Sequence, residues 1–115
     1  RLDYMTPNGR LAMEVDDFSQ LAGRYWWDLW PPESQHLIRK SVVDGAAGRS
    51  STFEAFCPTA KGTPRWWEVS VTPIVNGETV EALVSTSRDI TERVRERQHL
   101  EEIAIEMRHR VRNAY

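Results

Sequence analysis

Residues 62–78 read GTPRWWEVSVTPIVNGE, and the alternation within this stretch gives the strongest indication of the fold. Over residues 65–74 the side chains alternate, with Trp67 on one face and Trp66 on the other, which is the period of a β-strand. Asn76-Gly77 then predicts a hairpin, because both residues tolerate the positive φ angles of a two-residue turn. The stretch is therefore expected to form a long strand followed by an antiparallel partner.

The segments on both sides of this strand are predicted to pair with it. Residues 51–57 alternate in the same manner, and residues 79–87 return after the hairpin. Three consecutive antiparallel strands after a helical first half make an α+β fold. With Trp67 facing the helices, Trp66 and Phe56 form an aromatic pair on the other face. That pair is explained either by cover from a terminal helix or a neighbouring molecule, or by a dimer contact.

The first half of the chain reads as short elements followed by one helix. Residues 2–6 alternate and predict a short strand that ends in a turn at Pro7-Asn8-Gly9. Short helical pieces are expected over residues 11–21. An apolar stripe at helical spacing begins at Glu33, after two prolines that suit a first helical turn, and ends at Gly45.

Length and composition limit the classes of function. The chain has 115 residues, a formal net charge of −2 and 40% hydrophobic residues, which is typical of one folded domain. This charge gives no indication of a nucleic-acid partner, and no apolar run approaches the about 20 residues of a membrane span. Cys57 is the single cysteine, so an internal disulfide and a cysteine-built zinc site are excluded. We expect a cytoplasmic protein.

From Asp89 onward the period changes to that of an α-helix. Asp89 and Glu92 have the spacing of a capping box, and no glycine or proline follows before Asn113. One narrow apolar stripe consists of Leu100, Ile103, Ala104, Met107 and Val111, with Ile90 and Val94 as its expected upstream extension. A narrow stripe on a long charged helix predicts a two-stranded coiled coil, and therefore a homodimer.

His109 lies about 180° from Leu100 on a helical projection, so it is expected to face solvent among arginines. One interpretation is an exposed histidine on a solvated, charged face. The other is a phosphoacceptor, because a neutral imidazole is a nucleophile and neighbouring guanidinium groups favour an incoming phosphoryl charge. A metal site is not expected, since His99 lies ten residues earlier and no second ligand stands at helical spacing.

Three stretches carry a resemblance to a known family. SRDITER at residues 87–93 resembles the closing, PAC-type motif of PAS sensor domains, in which the last strand passes into a signalling helix. GTPRWWEVSVTPIVNGE is similar to the two long central strands of that fold, and GRYWWDLWPPE at residues 23–33 to its middle helical segment. The resemblance implies a PAS fold whose usual first strand is missing. One sheet edge would then be bare or filled by a neighbouring chain.

HRVRN at residues 109–113 is similar to the phosphoacceptor box of the HWE and HisKA_2 groups of histidine kinases. The resemblance implies a PAS sensor domain over residues 1–88 and a signalling helix with the box over residues 89–115. His109 would be the phosphorylated residue of a two-component sensor kinase. Nothing in the chain resembles an ATP-binding domain, so ATP and Mg would act in the parent kinase together with a downstream kinase domain and a response regulator.

The resemblance also implies that Asp89 and Thr91 couple the sheet to the helix, with Arg88 as the charge partner. An alternative to the kinase stays open. In it, the chain is a non-enzymatic PAS dimerisation or ligand-binding module attached to another output domain, such as a diguanylate cyclase, and HRVRN is coincidental.

Members of the PAS family hold flavin, haem, small acids or nothing, and no cofactor is expected here. Cys57 lacks the motif of a flavin-reactive cysteine and is interpreted as a packing residue. His36 is interpreted as a surface histidine, not a haem ligand. A pocket for an apolar or aromatic small molecule is a further hypothesis, and its lining would be Trp27, Trp30 and Trp67. The alternative is that these rings only pack the core and its rim.

Overall fold

The computed structural model describes the backbone of residues 1–114 and the side chains of residues 1–111. The helices are α1 (Pro7–Ala12), α2 (Gln35–Ala46) and α3 (Thr91–Ala114), and the strands are β1 (Ser51–Phe56), β2 (Trp66–Asn76) and β3 (Thr79–Asp89). Single 3₁₀ turns cover Phe18–Gln20 and Trp26–Leu29. The strands form an antiparallel sheet in the order β1-β2-β3, so the predicted α+β fold is confirmed.

The hairpin between β2 and β3 closes one residue later than predicted. Asn76 pairs with Thr79, so Gly77 and Glu78 form the two-residue turn. Gly77 takes a φ of 64° while Glu78 keeps a negative φ, the pattern of a type II′ turn. The predicted hairpin is confirmed, and the glycine alone supplies the left-handed position.

The first residues do not form the predicted strand. Leu2 is instead joined to the backbone of residues 23–24 by hydrogen bonds of 2.8 and 2.9 Å. Pro7 begins α1, where a turn was expected, and the hydroxyl of Thr6 accepts the N–H of Gly9 at 3.0 Å. Proline suits this position because the first helical N–H groups have no partner within the helix. Because Thr6 caps the helix, residues 7–9 form its first turn, although their sequence is also typical of a turn.

The core lies between α2, the Trp26–Leu29 turn and the inner face of the sheet. Its buried residues are Trp30, Ile38, Ala55, Cys57, Trp67, Val69 and Val71, which confirms the predicted inward face of β2. α2 begins at Gln35, later than the predicted Glu33, because residues 31–34 form a turn first. Near its end, Gly45 lies against Leu83 of β3. A Cβ atom at that glycine would come within 2.7 Å of a Leu83 methyl carbon.

α3 leaves the sheet after its first turns and continues without interruption. Ile90 and Val94 are buried, at 4% and 2% exposure, whereas all residues from Arg95 to Val111 are exposed. The projecting helix gives the molecule a longest dimension of 66 Å. Among the helices in the described part of the chain, none is long and apolar enough to cross a membrane.

Candidate functional site

The passage from β3 to α3 is held by hydrogen bonds around Asp89. One carboxylate oxygen of Asp89 accepts the backbone N–H of Thr91 at 2.9 Å and its hydroxyl at 2.5 Å. The other oxygen accepts a guanidinium N–H of Arg65 at 2.5 Å. The hydroxyl of Thr91 also accepts the N–H of Trp66 at 2.9 Å, and the carbonyl of Trp66 accepts the N–H of Ile90 at 2.9 Å. These bonds fasten the first turn of α3 to the start of β2.

The environment of Asp89 keeps its carboxylate ionised. Partial burial by itself would raise the pKa of Asp89, but the hydrogen bonds from Thr91 and Arg65, together with the charge of Arg65, hold that pKa below its ordinary value. The Arg65–Asp89 pair is about a third exposed on both sides. At neutral pH it is therefore a charged contact between the end of β3 and the residue that precedes β2.

Arg88 does not serve as the charge partner that the sequence suggested for Asp89. Its guanidinium instead donates to a carboxylate oxygen of Glu68 at 3.1 Å, directly across the sheet. The physical reason is that neighbouring residues of a strand point to opposite faces. Arg88 and Glu68 share the outer face, whereas Asp89 is opposite Trp67.

Two glutamates and two arginines connect α3 to the outer face of the sheet. Glu54 and Glu68 are directly opposite each other on β1 and β2. Arg93 lies between their carboxylates, at 3.4 and 3.3 Å, and Arg97 is 3.3 Å from Glu54. We call these four residues the ionic clamp. Two opposed carboxylates repel each other, so the two guanidinium groups, one helical turn apart, offset that repulsion and hold the helix over β1 and β2.

The aromatic pair on the outer face lies beside the start of α3. The rings of Phe56 and Trp66 are 5.6 Å apart in an edge-to-face arrangement, and both are half-buried. The backbone of Trp66 is bonded to Ile90 and Thr91. The start of α3 therefore lies beside Trp66, and both interpretations of the aromatic pair, cover and a dimer contact, stay predictions.

A second carboxylate ties the N-terminal segment to the connection between β1 and β2. Glu14 has a φ of 55°, which is unusual for a residue with a side chain. Its carboxylate accepts the hydroxyls of Thr59 and Thr63, and Lys61 pairs with Asp16 at 3.2 Å nearby. The two threonine hydrogen bonds, helped by nearby positive charges, lower the pKa of Glu14.

His109 is exposed on α3, as the helical projection predicts. Its neighbour Arg110 forms an ion pair with Glu106 at 2.7 Å, one turn earlier. The apolar stripe is also exposed, with Leu100 at 59% and Met107 at 60%. The side chains at positions 112 and 113, the end of the predicted phosphoacceptor box, lie outside the described residues.

Ile90 and Val94 do not extend this stripe as expected. They are buried where α3 adjoins the sheet, and on a helical projection they lie about 80° and 120° from Leu100. The helix therefore has two differently oriented apolar surfaces, one for the sheet and one that faces outward.

Known proteins share this arrangement of sheet and helices. A family model described as PAS fold matches residues 1–95. The chain belongs to the PAS family. The match ends before His109, and comparison with curated proteins gave no match.

Three solved structures are similar to this PAS chain. An RNA-binding light-oxygen-voltage receptor has a TM-score of 0.73 and 24% identity, over 93% of this chain. The PAS chain spans only 30% of that receptor. A sensory box histidine kinase/response regulator from Burkholderia thailandensis has a TM-score of 0.70 and 18% identity, over 92% of this chain and 81% of its own. A PAS domain from Colwellia psychrerythraea has a TM-score of 0.58 and 25% identity, over 74% of both chains.

The three tryptophans predicted to line a ligand pocket lie in two environments of the PAS domain. Trp30 and Trp67 are both in the core, at 8% and 2% exposure. Trp27 is half-buried at the rim, stacked on Tyr25 at 4.9 Å, with the guanidinium of Arg39 5.1 Å from its ring centre. Core packing accounts for the first two rings, and the ligand pocket stays a prediction.

Cys57 is buried in the core and His36 is exposed, as predicted for a packing residue and a surface histidine. Burial raises the pKa of the Cys57 thiol to about 11, so it is protonated at neutral pH. Its carbonyl accepts the indole N–H of Trp67 at 2.9 Å, which fixes that ring in the core. His36 is exposed on α2. In the part of the chain that the structure describes, no three acidic, histidine or cysteine side chains come together as a metal site requires.

Sequence reasoning singled out Asp89 and Thr91 but missed the residues that face them. Arg65 and the ionic clamp come from three different elements, so no local motif joins them. Two signals were available: the alternation of β1 and β2 puts Glu54 and Glu68 on the outer face, and Arg93 and Arg97 stand one helical turn apart.

Proposed function

We propose that this PAS domain is the sensor region of a two-component histidine kinase and that α3 carries its signal to the phosphoacceptor His109. The observation that carries the proposal is the position of His109: exposed, in an HRVRN sequence, on the same continuous helix whose first turn is bonded to Asp89 and Trp66. A change in the sheet that displaces Asp89 would therefore move the helix that presents the imidazole. The fold itself is one that a sensory box histidine kinase/response regulator also contains.

The proposed chemistry is phosphoryl transfer to a ring nitrogen. The unprotonated nitrogen of the His109 imidazole attacks the γ-phosphorus of ATP, which a separate kinase domain supplies with Mg²⁺. A P–N bond forms, the bond between the γ-phosphorus and the bridging oxygen breaks, and ADP leaves. The proton of the second ring nitrogen passes to a base or to water. An aspartate carboxylate of a response regulator then takes the phosphoryl group and restores the histidine.

The proposal includes a parallel pair of α3 helices. Leu100, Ile103 and Met107 recur at spacings of three and four, which suits one side of a coiled coil, and they are 38–60% exposed in the single chain. Pairing would bury them while leaving His109, on the opposite face, open to a kinase domain. Two imidazoles on opposite sides of one coil would then be presented by one dimer.

The test is transfer from γ-labelled ATP in the presence of the cognate kinase domain. We expect acid-labile, alkali-stable label on the wild-type chain and none on His109→Gln. His99→Gln is the matched control, because it removes an imidazole from the same helix and should keep the label. Equal labelling of His109→Gln and wild type would contradict the proposed function and favour an interaction module with another output.

A further inference from the structure

The ionic clamp and the exposed apolar stripe lie on the same side of α3. Arg93 stands seven residues before Leu100, and seven residues rotate a helix to within about 20° of the starting direction. Arg97 is about 60° from Leu100 by the same measure. The helix side that would meet a second helix at Leu100 is therefore occupied, about two turns earlier, by the carboxylates of Glu54 and Glu68.

We propose that the ionic clamp sets the point at which the two α3 helices begin to pair. With the clamp closed, pairing begins at Leu100, and the preceding turns belong to the sensor domain. With the clamp open, Glu92, Arg93, Glu96 and Arg97 become available to the helix of a second copy, while Val94 stays against the sheet. This inference rests on the parallel coil of the proposed function and adds the residues that regulate its length.

Charge complementarity identifies a second copy as the competitor for Arg97. With Leu100 at heptad position a, Arg97 is at e and Glu92 at g of the preceding heptad. In a parallel coil a g residue lies beside the following e residue of the other helix, and opposite charges there form an interhelical ion pair. Arg97 thus has two alternative acceptors, Glu54 in its own chain and Glu92 of a second copy.

The same heptad explains why the clamped form is the resting one. Arg93 would occupy position a and Glu96 position d, so extending the coil would place like charges against each other in its centre. In the clamped form Arg93 instead contacts two carboxylates. The clamp residues are 32–52% exposed, and ion pairs this exposed are weak. A modest rearrangement of β1 and β2 would therefore be enough to shift the balance.

Disulfide trapping at two d positions tests this inference. In a Cys57→Ala chain, one cysteine is introduced either at Glu96→Cys or at Ile103→Cys, and the rate of interchain disulfide formation is measured in the dimer. We expect Ile103→Cys to cross-link rapidly and Glu96→Cys at least about fivefold more slowly. Adding Glu54→Gln and Glu68→Gln should accelerate only the Glu96→Cys reaction, and about 0.5 M salt should do the same by screening the clamp.

The matched control carries Glu78→Gln and Glu102→Gln, which remove the same charge from the hairpin and from α3 outside the clamp. This control should leave both rates unchanged. Cross-linking of Glu96→Cys as fast as Ile103→Cys with the clamp intact would overturn the inference and leave the coil and the phosphoacceptor untouched. Failure of Ile103→Cys to cross-link would remove the coil itself, and the clamp's role with it. His109 labelling is measured separately, so the two proposals fail in distinguishable ways.

Discussion

The carboxylate of Asp89 and the guanidinium of Arg65 meet at 2.5 Å where the sheet ends and α3 begins, although 24 residues separate them in the chain. The contact joins the residue before β2 to the last residue of β3. Thr91 lies on the other oxygen of the same carboxylate. A movement of β2 relative to β3 would therefore reach the first turn of α3 through Asp89, in addition to the backbone bonds of Trp66.

A double-mutant cycle should show coupling between these two residues. Asp89→Asn keeps an oxygen for Thr91 but loses the charge, and Arg65→Gln removes the cation. Because the pair is about a third exposed, we expect a coupling energy of only about 0.5–1 kcal/mol in the free energy of unfolding. Urea denaturation of the four chains measures it, and strictly additive effects would show that the pair carries no interaction of its own.

Thr91 should matter more through its hydroxyl than through its methyl group. Thr91→Val removes the acceptor of the part-buried Trp66 N–H and the donor to Asp89, whereas Thr91→Ser keeps both. We expect Thr91→Val to lose about 1–2 kcal/mol of unfolding free energy and Thr91→Ser to lose less. Hydrogen exchange at the Trp66 amide should accelerate only in the valine variant. Equal exchange in both variants would show that the hydroxyl is dispensable.

Stability should fall in acid, in part through Glu14. A carboxyl whose pKa is lowered by folding stabilises the protein above the pKa of the unfolded chain, and that contribution is lost as the pH falls through the folded-state pKa. The pKa values of Glu14 and Asp89 are both lowered. The urea midpoint should therefore drop below about pH 4. The urea midpoint should fall less in Glu14→Gln than in wild type or in Glu78→Gln. An equal fall in all three chains would show that Glu14 does not contribute to the loss of stability in acid.

Replacement of Gly45 in α2 by alanine should not stabilise the protein. In an exposed helix interior, glycine to alanine stabilises by about 1 kcal/mol. Here the new Cβ would meet a Leu83 methyl carbon at 2.7 Å, so we expect Gly45→Ala to destabilise by about 1 kcal/mol. In a Leu83→Ala background the same change should become stabilising. Thermal unfolding of the four chains decides this, and stabilisation by Gly45→Ala alone would show that the Leu83 side chain or α2 moves aside freely.

Cys57 should be slow to alkylate in the folded protein. Cys57 is 3% exposed, and burial raises the pKa of its thiol to about 11. We expect iodoacetamide at about pH 8 to react at least about a hundredfold more slowly than with the urea-unfolded chain. Rapid modification of the native protein would mean that the core near Cys57 opens easily.

Periodic features were predictable from sequence because they depend on neighbours in the chain. The alternation around Trp67 predicts the buried face of β2, and the helical spacing after Asp89 predicts an unbroken α3 with His109 facing outward. Residues 2–9 were not predictable in this way. Their alternation and the Pro7-Asn8-Gly9 sequence fit a strand and a turn, but the Thr6 cap and the hydrogen bonds of Leu2 decided otherwise.

Local backbone period and turn chemistry specify the three strands, the long α3, the buried face of β2 and the exposed side of α3 on which His109 lies. The pairing of the charged side chains depends on the tertiary structure. Arg88 and Arg65 were both available to Asp89, and only the strand register sends Arg88 to Glu68. Charged side chains have several partners within reach, so their pairing follows from register and from the path of α3 across the sheet, which no local pattern specifies.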